Sequence, residues 1–303
     1  MRESVYHEIV AMLEADFPPM EIVQRHSTIT LNAIHSIRAQ KSQEWLKKTA
    51  YQHSSPEAML LYWRAFTAMA FPADQVNASN PSPAPSAPSP TELTPENSIA
   101  WQLCMRYNIP PCTLARVLLS LFLAQGDVRD GISKKNPRVK ELMQRPELIP
   151  DLVLRREVQC CIQYDDMTSP LVERVKHCVG AEYEALLQEK LRNLGIPFLN
   201  EEDMRKADAH KTPDIKLQAP IVVNGSVVLW IESKAYFGDR PNHTRNQAQL
   251  FGYLSRYGPG MVIYWFGFID ELNVDHDKGI QMLDHFPTKV SMELPPGMAS
   301  DSL

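Results

Sequence analysis

The stretch KTPDIKLQAPIVVNGSVVLWIESKAYFGD (residues 211–239) decides the fold of the second half of the chain. Two runs of mostly apolar residues, 215–223 and 226–236, flank the dipeptide Asn224-Gly225. Asn-Gly between two such runs is the strongest short signal for a β-hairpin. The sequence therefore predicts two antiparallel strands that are joined by a tight turn.

The same stretch carries three ionisable residues, Asp214, Glu232 and Lys234. Such residues are costly on strands that are otherwise made to be buried. Glu232 and Lys234 are two positions apart on one strand, so their side chains share a face. A strict two-residue turn would place Asp214 opposite Ala235, on the other face. Convergence of all three side chains therefore requires one irregularity in the hairpin.

Either of two irregularities would bring Asp214 to the face of Glu232. A three-residue loop at 224–226 shifts the register by one residue and sets Asp214 opposite Tyr236. Alternatively, Pro220 marks a break in the pairing, because proline cannot donate a hydrogen bond to a neighbouring strand. The sequence leaves both alternatives open.

Two carboxylates that converge at the end of a sheet form a site of hard oxygen ligands, which suits Mg²⁺ or Mn²⁺. A lysine beside the cation can orient the attacking water and offset negative charge on a phosphate. The pattern indicates this chemistry for Asp214, Glu232 and Lys234. The spacing alone also allows a plain ion pair between Lys234 and Glu232 on an exposed strand face.

The residues around the hairpin predict a compact α/β domain over 166–294. An amphipathic helix precedes Gly195, which is well placed as its C-terminal stop. A strand, a helix and two further strands are predicted at IPFLN (196–200), 243–256, GMVIYWFGFI (260–269) and TKVSMEL (288–294). The expected order is helix, three strands, helix and strand, with a final edge strand.

The first half of the chain is predicted to be helical, in two regions at 1–76 and 99–165. A linker rich in proline and serine, at 77–98, separates them, because this composition cannot build a core. Each region contains a helix, a break and a helix, which is the layout of a helix-turn-helix and equally of a plain helical bundle. A disordered tail is expected at 295–303.

Composition limits the partners. The net charge of −5 does not favour a nucleic-acid partner, so any such contact would need a local basic surface. The longest apolar runs are too short to span a bilayer, and no membrane contact is expected. The five cysteines lack metal-ligand spacing and indicate reduced thiols of an intracellular protein. The nucleus, the cytoplasm or both are the expected locations.

Pro213-Asp214 followed by Glu232-Ser233-Lys234 resembles the pattern of the PD-(D/E)XK nucleases. The resemblance implies a restriction-endonuclease-like fold for the C-terminal domain and a bound Mg²⁺ or Mn²⁺. It also implies roles for these residues. Asp214, Glu232 and the Ser233 carbonyl would bind the metal, and Lys234 would assist the attacking water.

The helix GAEYEALLQEKLRNLG (180–195) resembles the opening helix of archaeal Holliday-junction resolvases, which belong to that superfamily. There a Gly-x-x-aromatic-Glu stretch supplies a further acid, which carries over onto Glu184. Gln249 and Tyr253, in QLFGY, match a Gln-x(3)-Tyr element that some relatives carry on the helix after the motif. The resemblance thus implies that Glu184 is an auxiliary catalytic acid and that Gln249 and Tyr253 are auxiliary site residues.

The segments KTPD, WIESKAYFGD and FGYLSRYGPGMVIYWFGFI, together with the helical front half, resemble the codanin-interacting nucleases of animals. This resemblance covers nearly the whole chain. It implies codanin as a partner, helix-turn-helix character in the front half and a link to erythroid differentiation. Two hypotheses follow. One is a metal-dependent endonuclease that hydrolyses DNA, with branched or structured DNA as a candidate substrate. The other is a catalytically weak or inactive nuclease fold that serves as codanin's binding partner.

Overall fold

The computed structural model describes residues 1–71, 93–125, 136–206 and 211–292. Within these ranges the front half is helical and the second half contains a mixed sheet of six strands, which confirms the predicted α/β class. The helices are α1 Glu3–Glu14, α2 Pro19–Arg25, α3 Leu31–Thr49, α4 Pro56–Ala70, α5 Ile99–Tyr107, α6 Pro111–Leu123, α7 Pro137–Gln144, α8 Leu152–Tyr164, α9 Pro170–Asn193, α10 Glu201–Lys206 and α11 Arg240–Tyr257. The strands are β1 Phe198–Asn200, β2 Ile215–Val223, β3 Ser226–Lys234, β4 Gly260–Tyr264, β5 Ile280–Leu283 and β6 Val290–Ser291.

The sheet has the strand order β1-β2-β3-β4-β5, and the short β6 pairs with β2. Strands β1 to β3 are antiparallel, whereas β4 and β5 add in parallel. The predicted helix, three strands, helix and strand are present as α9, β1, β2, β3, α11 and β4, but the short helix α10, which was not predicted, interrupts the succession between β1 and β2. Gly195 follows α9 with a positive φ of 68°, as expected of a glycine that ends a helix. Strand β5 was not predicted.

The hairpin of β2 and β3 has a strict two-residue turn. Asn224 and Gly225 both have positive φ, and Val223 pairs with Ser226. The expected three-residue loop is therefore wrong, because Asn-Gly readily adopts the two positive φ angles of the tight turn.

The irregularity lies in β2, around the predicted break. Lys216 pairs with Trp230, but Ile221 pairs with Val228, so extra residues of β2 bulge out on the side that contains Pro220. Proline has no N–H to donate to the ladder, which favours the bulge at this place. The shift aligns Asp214 with Glu232, and the expected position of Asp214 opposite Tyr236 is also wrong.

The chain divides into two compact units. The first comprises 1–41 together with 177–303, and the second comprises 42–176. These units do not coincide with the segments expected from the sequence, because the first three helices contribute apolar side chains to a core that includes strands of the sheet. Residues 77–92 of the expected linker and the expected tail at 295–303 lie outside the described residues.

In the first unit, the two faces of the sheet bury separate cores. Trp230 and Val262 pack with helices α1 to α3 and α11, whereas Ile231 and Met261 pack with α9. This alternation follows the two-residue period of strands. Glu232 is therefore on the face that α11 covers.

Helix α3 fixes the segment that follows β3. The N–H of Phe237 donates to Ser36 Oγ at 2.8 Å, and Gln40 Nε2 donates to the Phe237 carbonyl at 2.7 Å. The ring of Phe237 is fully buried and lies parallel to the ring of Tyr6, with centroids 5.8 Å apart. The backbone and the ring of Phe237, three residues after Lys234, are thus held by α3 and by Tyr6.

In the second unit, α5 and α6 form the predicted helix, break and helix. Asn108 ends α5 in the left-handed conformation, and Pro111 opens α6. Most of α6 is buried in the core of this unit, including Leu114, Leu118 and Leu121. A DNA-reading helix needs an exposed face, so the packing of α6 favours the bundle over a recognition helix.

The described helices include none that is both long and apolar enough to cross a membrane. All five cysteines are free thiols, and four of them are buried.

Candidate active site

The hairpin and its bulge bring Asp214 and Glu232 together at one end of the sheet. The N–H of Asp214 donates to Glu232 Oε2 at 3.3 Å, and the N–H of Ser233 donates to Asp214 Oδ2 at 2.7 Å. Glu232 is 2% exposed. The backbone at Asp214 therefore holds the Glu232 carboxylate, and the backbone next to Glu232 holds the Asp214 carboxylate.

Lys234 completes this group on the same face. Its Nζ lies 2.6 Å from Glu232 Oε1, and both side chains are largely buried. Burial has the largest single effect and lowers the pKa of Lys234, but the charge and hydrogen bond of Glu232, together with the charges of Tyr236 and Asp214, outweigh it, so the pKa of Lys234 is raised overall. The ion pair considered for an exposed strand face exists, but in a buried setting where only partnered charges are tolerated.

Burial and a neighbouring negative charge disfavour ionisation of both carboxyl groups. Burial, followed by the negative charge of Glu232, raises the pKa of Asp214 to about 8. Burial also raises the pKa of Glu232, against the opposing effect of Lys234. Like charges forced together in a desolvated place are typical of functional sites, because a bound cation would relieve the repulsion.

Helix α11 supplies a chain of hydrogen bonds to Glu232. Gln249 Nε2 lies 3.2 Å from Glu232 Oε1 and 2.6 Å from the hydroxyl of Tyr253. That hydroxyl in turn donates to the carbonyl of Thr212 at 2.7 Å. The Gln-x(3)-Tyr pair, which only the resemblance singled out, thus ties Glu232 to the residues just before Asp214.

Glu184, on α9, faces the same group of charges. Its pKa is raised by burial first, then by the negative charges of Glu201 and Glu232. Glu184, Glu201 and Asp214 all line a small cavity of about 200 Å³. The structure therefore brings the predicted auxiliary acid to the site, together with Glu201, which sequence reasoning missed. The only available signal for Glu201 was its position directly after the predicted short strand.

The donor set fits a hard divalent cation. The candidate ligands are carboxylate oxygens and the Ser233 carbonyl, and Asp214 Oδ1 accepts no hydrogen bond from the described residues. Across the described ranges, no three His, Cys, Asp or Glu side chains are grouped closely enough to hold a metal by themselves. Two carboxylates with water and substrate oxygens completing the shell is the usual way in which Mg²⁺ is bound.

A family model, described as a protein of unknown function with the TPD sequence motif, matches residues 150–286. Within that range the chain reads Thr212-Pro213-Asp214. The motif of the description is thus present at the first carboxylate of the site.

Three relatives carry the same name, CDAN1-interacting nuclease 1. The one from Danio rerio is 35% identical, over 90% of this chain and 83% of its own length. Those from Xenopus laevis and Homo sapiens are 33% and 32% identical, each over 96% of this chain and over 90% and 96% of their own lengths. The chain belongs to the CDAN1-interacting nuclease 1 family. No solved structure matches it significantly.

In this member of the family, Ser233 has its side chain engaged elsewhere. Trp265 Nε1 donates to Ser233 Oγ at 2.8 Å, on the sheet face opposite that of Glu232 and Lys234. The hydroxyl is therefore not a group of the carboxylate site. Metal binding by the Ser233 carbonyl stays a prediction.

A second, larger cleft opens next to the carboxylates of this family member. It has a volume of about 910 Å³ and shares Glu201 with the small acidic cavity. Its described lining residues are Glu201, Arg205, Lys211, Thr212, Arg245, Ala248, Gln249, Gly252, Tyr253 and Arg256. This cleft is the local basic surface that the overall acidity of the chain conceals.

Proposed function

We propose that this chain is a metal-dependent endonuclease of the PD-(D/E)XK type that hydrolyses phosphodiester bonds in DNA. The observation that carries the proposal is the buried group of Asp214, Glu232 and Lys234, held at the end of one hairpin. Family membership supports it, because the relatives are named as nucleases.

Asp214 and Glu232 would hold Mg²⁺ or Mn²⁺, with the Ser233 carbonyl as a further ligand. When bound, the cation supplies Lewis-acid stabilisation of the phosphate and a more acidic water. Glu184 adds a third carboxylate on the side of the small cavity and acts as the auxiliary acid. Ligands with few alternative positions favour a defined geometry, and Glu232 already accepts from both Lys234 and Gln249.

Lys234 would contribute to catalysis on the substrate rather than to the stability of the fold. Its ammonium group donates to Glu232 and keeps further N–H groups for other acceptors. A positive charge in this buried position offsets the negative charge that develops on the phosphate in the transition state, where electrostatic effects are strong. It can also orient the attacking water toward the phosphorus.

The partner follows from the family. The relatives' name states an interaction with CDAN1, and we propose that this chain likewise binds codanin. The carboxylate site is polar and buried, which does not suit a protein docking surface. The complex with codanin should therefore survive loss of the catalytic charge, and co-purification of codanin with Glu232→Gln tests this. Loss of codanin from a folded Glu232→Gln protein would contradict it and place the docking surface at the cleft.

One observation favours the alternative, a nuclease fold that binds codanin without catalysis. The net charge of −5 opposes binding of a polyanion such as DNA everywhere except at a local basic surface. This alternative predicts no metal-dependent cleavage by the parent protein on any substrate.

A cleavage panel distinguishes the two functions. Duplex, flap, four-way junction and single-stranded DNA would be incubated with Mg²⁺ or Mn²⁺ and the parent protein, Glu232→Gln, or Glu189→Gln. Glu189 is an exposed residue of α9 that lines neither cavity, so its variant is the matched control. The proposal expects cleavage by the parent and by Glu189→Gln and none by Glu232→Gln. Equal cleavage by all three, or by none, would contradict it.

A further inference from the structure

We infer that the basic cleft seats an unpaired strand of nucleic acid by its phosphates, next to the carboxylate site. The inference rests on the proposed function and names the substrate feature that the enzyme would select. Four positively charged side chains line the cleft: Arg205, Lys211, Arg245 and Arg256. Glu201, the one acid among the described lining residues, pairs with Arg205 at 2.7 Å, which leaves an excess of three positive charges. On a chain with a net charge of −5, such a concentration of positive charge is a polyanion site.

One face of α11 forms a wall of the cleft. Arg245, Ala248, Gln249, Gly252 and Arg256 follow the helical spacing of three or four residues. The two arginines are thus separated along the helix axis by about 16 Å, at 1.5 Å per residue. The residues between them are small or uncharged, which leaves a path for a backbone with several phosphates.

Gly252 keeps this path open rather than serving the packing of the helix. A Cβ atom at this position would meet no atom within 4 Å, and Gly252 has no positive φ. Glycine in a helix interior lowers stability, so its presence at a position without a packing constraint calls for another reason. The space above the glycine belongs to the cleft.

The dimensions favour a single strand over a duplex. A volume of about 910 Å³ falls among pockets that enclose small ligands, roughly 300–1,000 Å³. A few nucleotides of a strand fit such a space. A B-form duplex, whose major groove alone is about 12 Å wide, would meet only the rim.

The lining indicates contact with phosphates rather than with bases. Tyr253 is the one aromatic residue among the described lining residues, and it is only 2% exposed. Stacking of bases on this ring is therefore blocked, and sequence preference should be weak. Gln249 and Thr212 line the cleft and also contact Glu232 or Tyr253, so a strand in the cleft leads to the carboxylate site.

Binding without cleavage tests the inference. Full-length protein in EDTA would be titrated into fluorescein-labelled dT12 or a blunt 12-bp duplex, and anisotropy would be recorded at several salt concentrations. We expect dT12 to bind more tightly than the duplex. Because Arg205 is paired with Glu201, three phosphate contacts are expected, which give a salt slope of about −2, at about 0.7 per contact for single strands. Equal or tighter duplex binding would overturn the inference.

Variants locate the binding. Arg245→Ala and Arg256→Ala should each reduce the magnitude of the salt slope by about 0.7. Lys289→Ala, which removes an exposed charge outside the cleft, should leave it unchanged. Gly252→Leu should lower dT12 affinity at least tenfold without lowering Tm. Gly180→Leu, at another helical glycine with open space around its Cβ, is the matched control. Unchanged dT12 affinity in all three cleft variants would refute the assignment.

Failure of the cleft assignment can be distinguished from failure of the proposed nuclease function. Cleavage with Mg²⁺ that persists while the cleft variants bind dT12 normally would refute the cleft alone. Cleft-dependent binding of dT12 by a protein that cleaves nothing with either metal would refute the nuclease alone.

Discussion

Asp214 and Glu232 face each other across the end of the hairpin, with the N–H of Asp214 3.3 Å from Glu232 Oε2. Burial and the neighbouring charge raise the pKa of Asp214 to about 8, so the metal-free pair resists full ionisation near neutral pH. Lys234 offsets part of the charge on Glu232 at 2.6 Å. Ionising both buried carboxyl groups costs electrostatic free energy, and a bound divalent cation would offset that cost.

Metal binding should therefore depend on pH. A cation needs the ionised form of Asp214, whose pKa in the metal-free protein is about 8. The affinity for Mn²⁺ should then rise by about tenfold per pH unit below pH 8 and level off above it, with release of a proton on binding. Titration calorimetry at pH 6.5, 7.5 and 8.5 measures this dependence. The same affinity at pH 6.5 and 8.5 would show that Asp214 is not a ligand.

Asp214→Asn should stabilise the metal-free protein at high pH. The pKa of Asp214 is about 8 in the folded state and about 4 in an unfolded chain. The folded protein thus binds more protons over this window, and its free energy of unfolding falls as pH rises from 4 to 8. Asparagine cannot ionise, so the advantage of the variant should grow by on the order of 1 kcal/mol per pH unit. Urea denaturation in EDTA at pH 4.5, 6, 7.5 and 9 checks this, and a constant difference would contradict it.

Tyr253→Phe should lower the free energy of unfolding, because the Tyr253 hydroxyl links Gln249 to the Thr212 carbonyl. The variant removes the hydroxyl that lies 2.6 Å from Gln249 Nε2 and 2.7 Å from the Thr212 carbonyl. Leaving a buried carbonyl without its partner costs about 1–3 kcal/mol of the free energy of unfolding. Tyr257→Phe, which removes a hydroxyl with no hydrogen bond to the described residues, is the control. Thermal denaturation of both variants tests this prediction. Equal Tm values would show that the Tyr253 hydroxyl contributes nothing to the stability of the fold.

The sequence predicted the local structure of the C-terminal half well, because its signals are local. Asn224-Gly225 specified the turn, and Gly195 specified the end of a helix. The register was harder, because a bulge near Pro220 depends on how β2 fits its neighbours on both sides rather than on the turn. Both proposed irregularities met the requirement that Asp214 reach the face of Glu232, and only the structure distinguishes them.

Tertiary packing accounts for what the sequence did not predict. Helices α1 to α3 join the core of the sheet because residues such as Ile9 and Ile34 contact it, and no local pattern reveals the partner of an apolar face. The basic cleft was missed for a similar reason. Arg205 and Arg256 are far apart in the sequence, and the net charge of −5 conceals their convergence.

Lys234 is the residue on which the proposed phosphodiester hydrolysis should depend most directly. Lys234→Ala removes the charge that would offset the transition state but leaves Asp214 and Glu232 to bind the cation. Single-turnover cleavage with Mg²⁺ should fall on the order of a hundredfold or more, the usual contribution of a positioned catalytic group. DNA affinity should change little, since one phosphate contact is a small part of binding. Cleavage that continues undiminished in purified Lys234→Ala protein would show that Lys234 has no part in hydrolysis and would assign the activity to another nuclease.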